Sequence, residues 1–201
     1  MHGEQGIVLH RPIPAEGELV GETRITGLVD KGPGKGALLY TEKRLIDAAS
    51  GALIATTTAT TFLRGDGGFG GAPGPVKPPY PVPDGPPDLF IDLPTRPEQA
   101  LLYRLLGDDN PLHADPAVAA AAGFERPILH GLCTFGVVTH ALLRGLCGYD
   151  PARLRAMDLR FSAPVFPGET IRTEIFASGA FRARAVGRDV VVVNNGRAVI
   201  G

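Results

Sequence analysis

Between residues 65 and 87 the chain is dense first in glycine and then in proline. Proline lacks a backbone N–H and fixes φ, so such a run can neither sit inside a sheet nor continue a helix. It divides the sequence into a first domain, 1–71, a linker, 72–87, and a second domain, 88–201. Ahead of the linker, strand-like runs are predicted at 7–10, 18–29, 37–47 and 52–63, with turn residues at 30–36 and 48–51. The segment Ala55-Thr-Thr-Thr-Ala-Thr-Thr61 favours a strand because threonine is branched at Cβ. No helix is predicted in this half. The glycines of Gly65-Asp-Gly-Gly-Phe-Gly-Gly71 lack the Gly-Lys-Ser/Thr ending and the following helix of a phosphate-binding loop, so they read as a structural turn.

Beyond the linker the pattern changes. A short strand at 91–94 leads to Thr95, read as an N-cap ahead of Pro97 and Glu98 in a helix that ends near Leu106. Asp115 caps a second helix, with Pro116 in its first position, that runs to Gly123. A third helix begins at His130 or Gly131 and reaches about Leu146, apolar on most sides, as a helix wrapped by a curved sheet must be. Strands follow at 157–163, 170–177, 181–186 and 189–193, then a turn at Asn194-Asn-Gly196 and a last strand at 197–200. The class is α+β. The pattern of Arg11-Pro-Ile-Pro-Ala-Glu-Gly-Glu-Leu19 returns in Ala163-Pro-Val-Phe-Pro-Gly-Glu-Thr170, which suggests a duplication whose first copy lacks a counterpart of 97–155. A sheet without its own helix leaves a face to be buried elsewhere, so a homodimer or higher homo-oligomer is expected.

Composition narrows the function classes. A formal charge of −1 gives no electrostatic footprint for nucleic acid. The most apolar stretch, 132–146, is interrupted by Thr134, Thr139, His140 and Arg144 and falls short of the ~20 apolar residues of a membrane span. With no secretion signal, the expectation is a cytoplasmic protein without a membrane partner. Cys133 and Cys147 stand fourteen residues apart on one predicted helix and read as buried thiols. No His/Cys spacing suits a metal, so none is expected. His140 reads as a core histidine, and His2 and His10 have no partner near them in sequence.

The chemistry concentrates in Gly107-Asp-Asp-Asn-Pro-Leu-His113. Asp108 and His113 are five residues apart, which on a helix is a rotation of roughly 500° and puts them on different faces. They can converge only across a bend. Pro111 disfavours a helical conformation at Asn110, and Gly107 and Asn110 both suit turns, so the segment reads as a bend that aims an acid/base pair at one point. Such a pair suits proton transfer near neutral pH.

The ordered string Tyr103-Arg-Leu-Leu-Gly-Asp-Asp-Asn-Pro-Leu-His113, an alanine-rich helix and Arg126-Pro-Ile-Leu-His-Gly131 together resemble the signature of MaoC-like (R)-specific enoyl-CoA hydratases. The glycine run 65–71 and His2-Gly-Glu-Gln5 are similar to the hydratase 2 branch of that family. The resemblance implies a double hotdog, each unit an antiparallel sheet wrapped around a central helix, with the first unit incomplete here. Members of the branch are longer ahead of the His2 position, so the chain looks truncated at its start. The implied reaction is reversible hydration of a trans-2-enoyl-CoA to a (3R)-3-hydroxyacyl-CoA, in fatty-acid or branched or sterol side-chain metabolism. No cofactor is implied, because coenzyme A is part of the substrate.

Such a hydration needs water deprotonated as it attacks C3, a proton delivered to C2 and charge stabilised on the thioester oxygen. Asp108 and His113 jointly supply the proton movements, and Asn110 either orients water or only shapes the bend as an Asx-turn. Gly131, at a helix start, offers an N–H with no intrahelical acceptor beside the positive end of the helix dipole. His130 is either a substrate-facing group or a structural residue of the helix start, and the resemblance puts Phe69 near the acyl-CoA site. Lys31, Lys35, Arg126 and Arg197 are available for the coenzyme phosphates. Two other readings stay open: a non-catalytic acyl-CoA-binding or assembly subunit, and a dehydratase acting on acyl-carrier-protein thioesters.

Overall fold

The computed structural model describes residues 1–201. In chain order the elements are β1 (His2–Leu9), β2 (Leu19–Asp30), β3 (Ala37–Asp47), β4 (Leu53–Leu63), β5 (Leu89–Pro94), α1 (Gln99–Arg104), α2 (Pro116–Ala121), α3 (Gly131–Leu146), β6 (Leu154–Phe161), β7 (Thr170–Ile175), β8 (Ala180–Ala185) and β9 (Val190–Ile200). Two compact units result. One holds Met1–Pro81, Asp150–Arg160 and Asn195–Gly201, the other Val82–Tyr149 and Phe161–Asn194. Thus 150–160 and 195–201, late in sequence, fold with the first unit.

The first unit is an antiparallel sheet in the order β2-β3-β4-β1-β6, with no α-helix of its own. The threonine-rich β4 lies between β3 and β1, with Thr60 opposite both Tyr40 and Glu4. Strand β1 was expected at 7–10 and instead starts at His2. Its polar opening residues hide a strand because their partners are distant in sequence: Glu4 accepts from both Thr60 Oγ1 (2.7 Å) and Arg160 Nη2 (2.7 Å). The glycine run has a partner of its own. Backbone N–H groups of Gly68, Gly70, Gly71 and Gly32 converge on the Asp30 carboxylate, at 2.6, 2.8, 3.2 and 2.8 Å. The loop is therefore an anion cradle closed around the protein's own buried side chain, which the sequence pattern did not disclose.

The second unit carries the hotdog arrangement of an antiparallel sheet on a central helix. Its strands are ordered β8-β7-β5 beside the first half of β9, with Thr173 of β7 opposite Ile91 on one side and Ala183 on the other. Helix α3 packs on β5 and β7 and buries Cys133, Thr134, Val138, Ala141 and Leu142. Glycine at 145 lets the helix approach the sheet closely, since a Cβ would stand 2.8 Å from Ile91 Cδ1 and 2.9 Å from Leu89 Cδ2 and would push those side chains aside. Both cysteines are buried thiols outside any disulfide. No helix is long and apolar enough to cross a membrane.

Several local expectations are corrected. Asn194-Asn-Gly196 is not a hairpin turn, because β9 is continuous from Val190 to Ile200. A single left-handed residue, Asn195 at φ 54°, interrupts the strand without reversing it, and its side chain donates to the Tyr80 carbonyl at 2.8 Å. Thr95 does not cap α1, whose N-cap is Glu98 and which spans only Gln99–Arg104. Instead buried Thr95 ties down the turn before β7, donating its hydroxyl to Glu169 O at 2.8 Å and accepting from Gly168 N at 3.0 Å. The strand placed at 181–186 ends at Ala185, where a 3-10 turn and left-handed Asp189 (φ 54°) lead into β9. Asp115 caps α2 as expected, accepting from Ala117 N at 2.8 Å with Pro116 in the first position.

Candidate active site

The bend after α1 is built from short polar side chains that bond to their own backbone. Gly107 takes φ 99°, a conformation that strains any residue with a Cβ, and turns the chain out of the helix. Asp108 Oδ1 accepts from Asn110 N at 3.4 Å, and Asn110 Oδ1 accepts from Leu112 N at 3.1 Å. Asn110 is extended (φ −51°, ψ 120°), as a residue before proline must be, and caps the 3-10 turn Pro111–His113. The Asx-turn reading of Asn110 is thereby met. Its oxygen is engaged and its amide NH2 is the end available to a ligand.

His113 is swung inward by that turn to 9 % exposure. Its Nδ1 lies 2.8 Å from the Ile128 carbonyl. A carbonyl only accepts, so Nδ1 carries the proton and Nε2 is left as a bare acceptor in the neutral ring. The Asp108 side chain remains exposed at the rim.

His130, the residue before α3, completes the cluster. It is 1 % exposed, and its ring stacks on His113 with centroids 3.7 Å apart and 27° between planes. Its Nε2 donates to the Asp108 carbonyl at 3.3 Å, and its Nδ1 is buried without a hydrogen-bond partner. Burial, and secondarily the neighbouring His113, hold its pKa below the usual histidine value, which favours the neutral ring. Tyr103 of α1 covers the assembly, its ring 4.7 Å from that of His130, and burial raises its phenol's pKa. Burial also raises the pKa of the Cys133 thiol, which argues against a nucleophilic role.

Asp108, His113 and His130 thus offer atoms within 4.8 Å of one another, a grouping that also has the residue types of a metal site. Stacked rings, however, project their in-plane lone pairs side by side and not toward one point about 2.1 Å from both nitrogens. The arrangement suits proton exchange with a small molecule better than cation binding.

Gly131 is the first residue of α3, and its N–H has no acceptor within the helix. A Cβ there would meet only the Phe161 ring, at 3.4 Å, so crowding does not demand glycine. Phe69 belongs to the first unit, half exposed at the tip of the glycine run. Of the candidate phosphate partners, Arg126 lies over the Phe166 ring at 4.7 Å, Lys31 over Phe62 at 5.4 Å and Arg197 over Tyr80 at 5.5 Å. His140 is exposed and meets the Tyr149 hydroxyl at 3.1 Å, contrary to its reading as a core residue. Sequence reasoning assigned no role to Tyr103 and missed the His113–His130 stack. Seventeen residues separate the two histidines, and no periodicity joins them.

Comparison with known proteins agrees with this geometry. Residues 80–198 match the MaoC like domain family, and residues 1–65 match the MFE-2 hydratase 2 N-terminal domain. The chain is 49 % identical over 196 residues to 3-hydroxyacyl-thioester dehydratase Y of Mycobacterium tuberculosis, covering 94 % of this chain and 67 % of that one. It is 46 % identical over 178 residues to a probable enoyl-CoA hydratase 2 of Dictyostelium discoideum, covering 88 % of this chain and 60 % of that one. The crystal structure of a MaoC-like dehydratase from Phytophthora capsici superimposes with a TM-score of 0.91 at 39 % identity, over 100 % of this chain and 71 % of that one. The chain therefore spans 60 to 67 % of the length of these two curated relatives. With the bend that carries Asp108 and His113, a helix-start N–H and a hotdog sheet in the matching segment, the chain belongs to the MaoC-like dehydratase family, in its hydratase 2 branch.

Proposed function

We propose that the chain is a hydro-lyase that reversibly adds water to the 2,3 double bond of a trans-2-enoyl thioester. One observation carries the reading. His113, its Nδ1–H held by Ile128, keeps a bare Nε2, and its imidazole has a ring nitrogen within 4.8 Å of an Asp108 carboxylate oxygen. A water held between these two groups can lose a proton to one of them as its oxygen attacks C3. The proton that reaches C2 comes from the same pair, so the site returns to its starting protonation state after each turnover. The Asn110 amide orients the water or a substrate oxygen. Charge that develops on the thioester oxygen is met by the Gly131 N–H and the positive end of α3, worth about 3 kcal/mol by analogy with other oxyanion sites.

The names of the relatives support this class, one as a thioester dehydratase and one as an enoyl-CoA hydratase. The thioester carrier is proposed to be coenzyme A and the product the (3R)-alcohol, with Phe69 on the acyl side. A competition between enoyl-CoA and the carrier-protein thioester tests the carrier, and chiral chromatography of the product tests the stereochemistry. Residues 1–71 are proposed to be a partial first hotdog unit without a central helix and 88–201 the second unit, which carries the active site, joined by the linker 72–87. A homo-oligomer remains proposed, and a monomeric mass in light scattering would rule it out. Turnover is read as loss of the conjugated thioester absorbance. Folded protein that binds enoyl-CoA with no loss of absorbance would reject the hydro-lyase reading in favour of a binding subunit.

A further inference from the structure

Resting on the hydro-lyase reading, we infer that His130 is a positioning residue, a neutral bracket that fixes Asp108 and His113 relative to each other without touching substrate. The two catalytic groups come from one bend, and nothing within the bend sets the tilt of the His113 ring. The Ile128 carbonyl holds its Nδ1, and His130 supports its face from the start of α3. Its ring face supports His113 at 3.7 Å, while its Nε2–H, 3.3 Å from the carbonyl of Asp108, holds the peptide from which the carboxylate projects. At 1 % exposure its ring is closed off from solvent, and Tyr103 backs it at 4.7 Å.

The bracket works only while uncharged. The charged or titratable groups around it are Asp108, His113, Tyr103, Arg104 and Cys133. A proton taken up by His113 during turnover would face a second cation if His130 were also charged, and His130 Nδ1 has no acceptor to receive a proton of its own. A neutral His130 with its proton on Nε2 removes both conflicts. The two histidines then hold opposite tautomers, Nδ1–H on His113 and Nε2–H on His130.

Two measurements test the inference. Nitrogen-15 spectra of the histidine-labelled full chain should show His130 neutral, with its proton on Nε2, from about pH 5.5 to about 7.5, a unit either side of the free imidazole pKa. A His130 that titrates in that window, or carries its proton on Nδ1, overturns the bracket. In steady-state kinetics His130→Phe keeps an aromatic face against His113 but deletes the tether to Asp108. It should lower kcat by about 10²-fold, the usual result of misplacing catalytic groups, with KM changed by less than about twofold. A raised KM with unchanged kcat would overturn the inference by making His130 a substrate contact, and wild-type kinetics would overturn it outright. If His130→Phe does not fold, His130→Gln, which keeps a donor and loses the ring, is read against the same limits, and the tautomer measurement stands by itself. Failure of the hydro-lyase reading looks different, since the wild-type chain itself would then bind enoyl-CoA without loss of the conjugated thioester absorbance, whatever the state of His130.

Discussion

Replacing Gly131 by proline isolates one hydrogen-bond donor. Substitution at a helix start would ordinarily confound loss of a donor with loss of the helix, but here the backbone is already suited to proline. Gly131 is the first residue of α3, the position where proline is best tolerated. His130 before it has φ −58° and ψ 138°, the extended conformation that a following proline requires. The N–H removed makes no intrahelical bond, so helix stability should barely change. Loss of one oxyanion donor costs about 3 kcal/mol in the transition state, which at about 1.36 kcal/mol per decade is roughly 10²-fold in kcat. Gly131→Ala is the control. It keeps the N–H and adds a Cβ at ordinary contact distance, 3.4 Å from Phe161, so its kcat should stay within a few-fold of wild type. Rates on an enoyl-CoA, with circular dichroism melts of all three proteins, complete the experiment. Full activity in Gly131→Pro would refute the role of this N–H. Equal loss in both variants would assign the effect to crowding.

Other predictions concern stability and the acid/base pair. His113→Ala should abolish most turnover with the fold retained, since the turn that carries it is held by Asn110 and Pro111, and should lower the melting temperature only by the loss of its bond to Ile128 and its stack on His130. Leu142, fully buried in α3, should cost about 2–5 kcal/mol when cut to alanine, read by denaturant unfolding. Asp30 is held below the usual carboxylate pKa mainly by the Gly68 and Gly32 N–H groups. Its folded pKa lies under its unfolded value of about 3.9, so its stabilisation is complete above that value and is lost as pH falls through the folded pKa. Asp30→Asn should therefore melt earlier than wild type at pH 7, and the gap should close in acid. A gap that widened in acid would contradict the cradle.

The sequence was most readable where a local rule decides the structure. Asp115-Pro116 announces α2, the Cβ-branched threonines of β4 announce a strand, and Pro111 forces the bend that carries Asp108 and His113. It was least readable where the partner is remote. Glu4 in β1 looks too polar for a strand until Arg160 and Thr60 are seen beside it, and Asp30 looks like a turn residue until the glycine run wraps it. Thr95 has the composition of a helix cap, yet the turn before β7 claims its hydroxyl. Asn194-Asn-Gly196 has hairpin residues, but β9 absorbs the one left-handed residue and runs on. In the site, the bend could be derived from spacing. The stack of His130 on His113 could not, because it depends on how the start of α3 meets the bend.

The central claim is that Asp108 and His113 together carry water to an enoyl thioester, and its most direct test is hydration of a trans-2-enoyl-CoA by the 201-residue chain and by its Asp108→Asn variant. The account predicts steady loss of the conjugated thioester absorbance with the wild-type chain. It predicts a fall of at least about 10²-fold with the variant, the lower range for a positioned acid/base group, at unchanged secondary structure. Equal rates for the two proteins would contradict it.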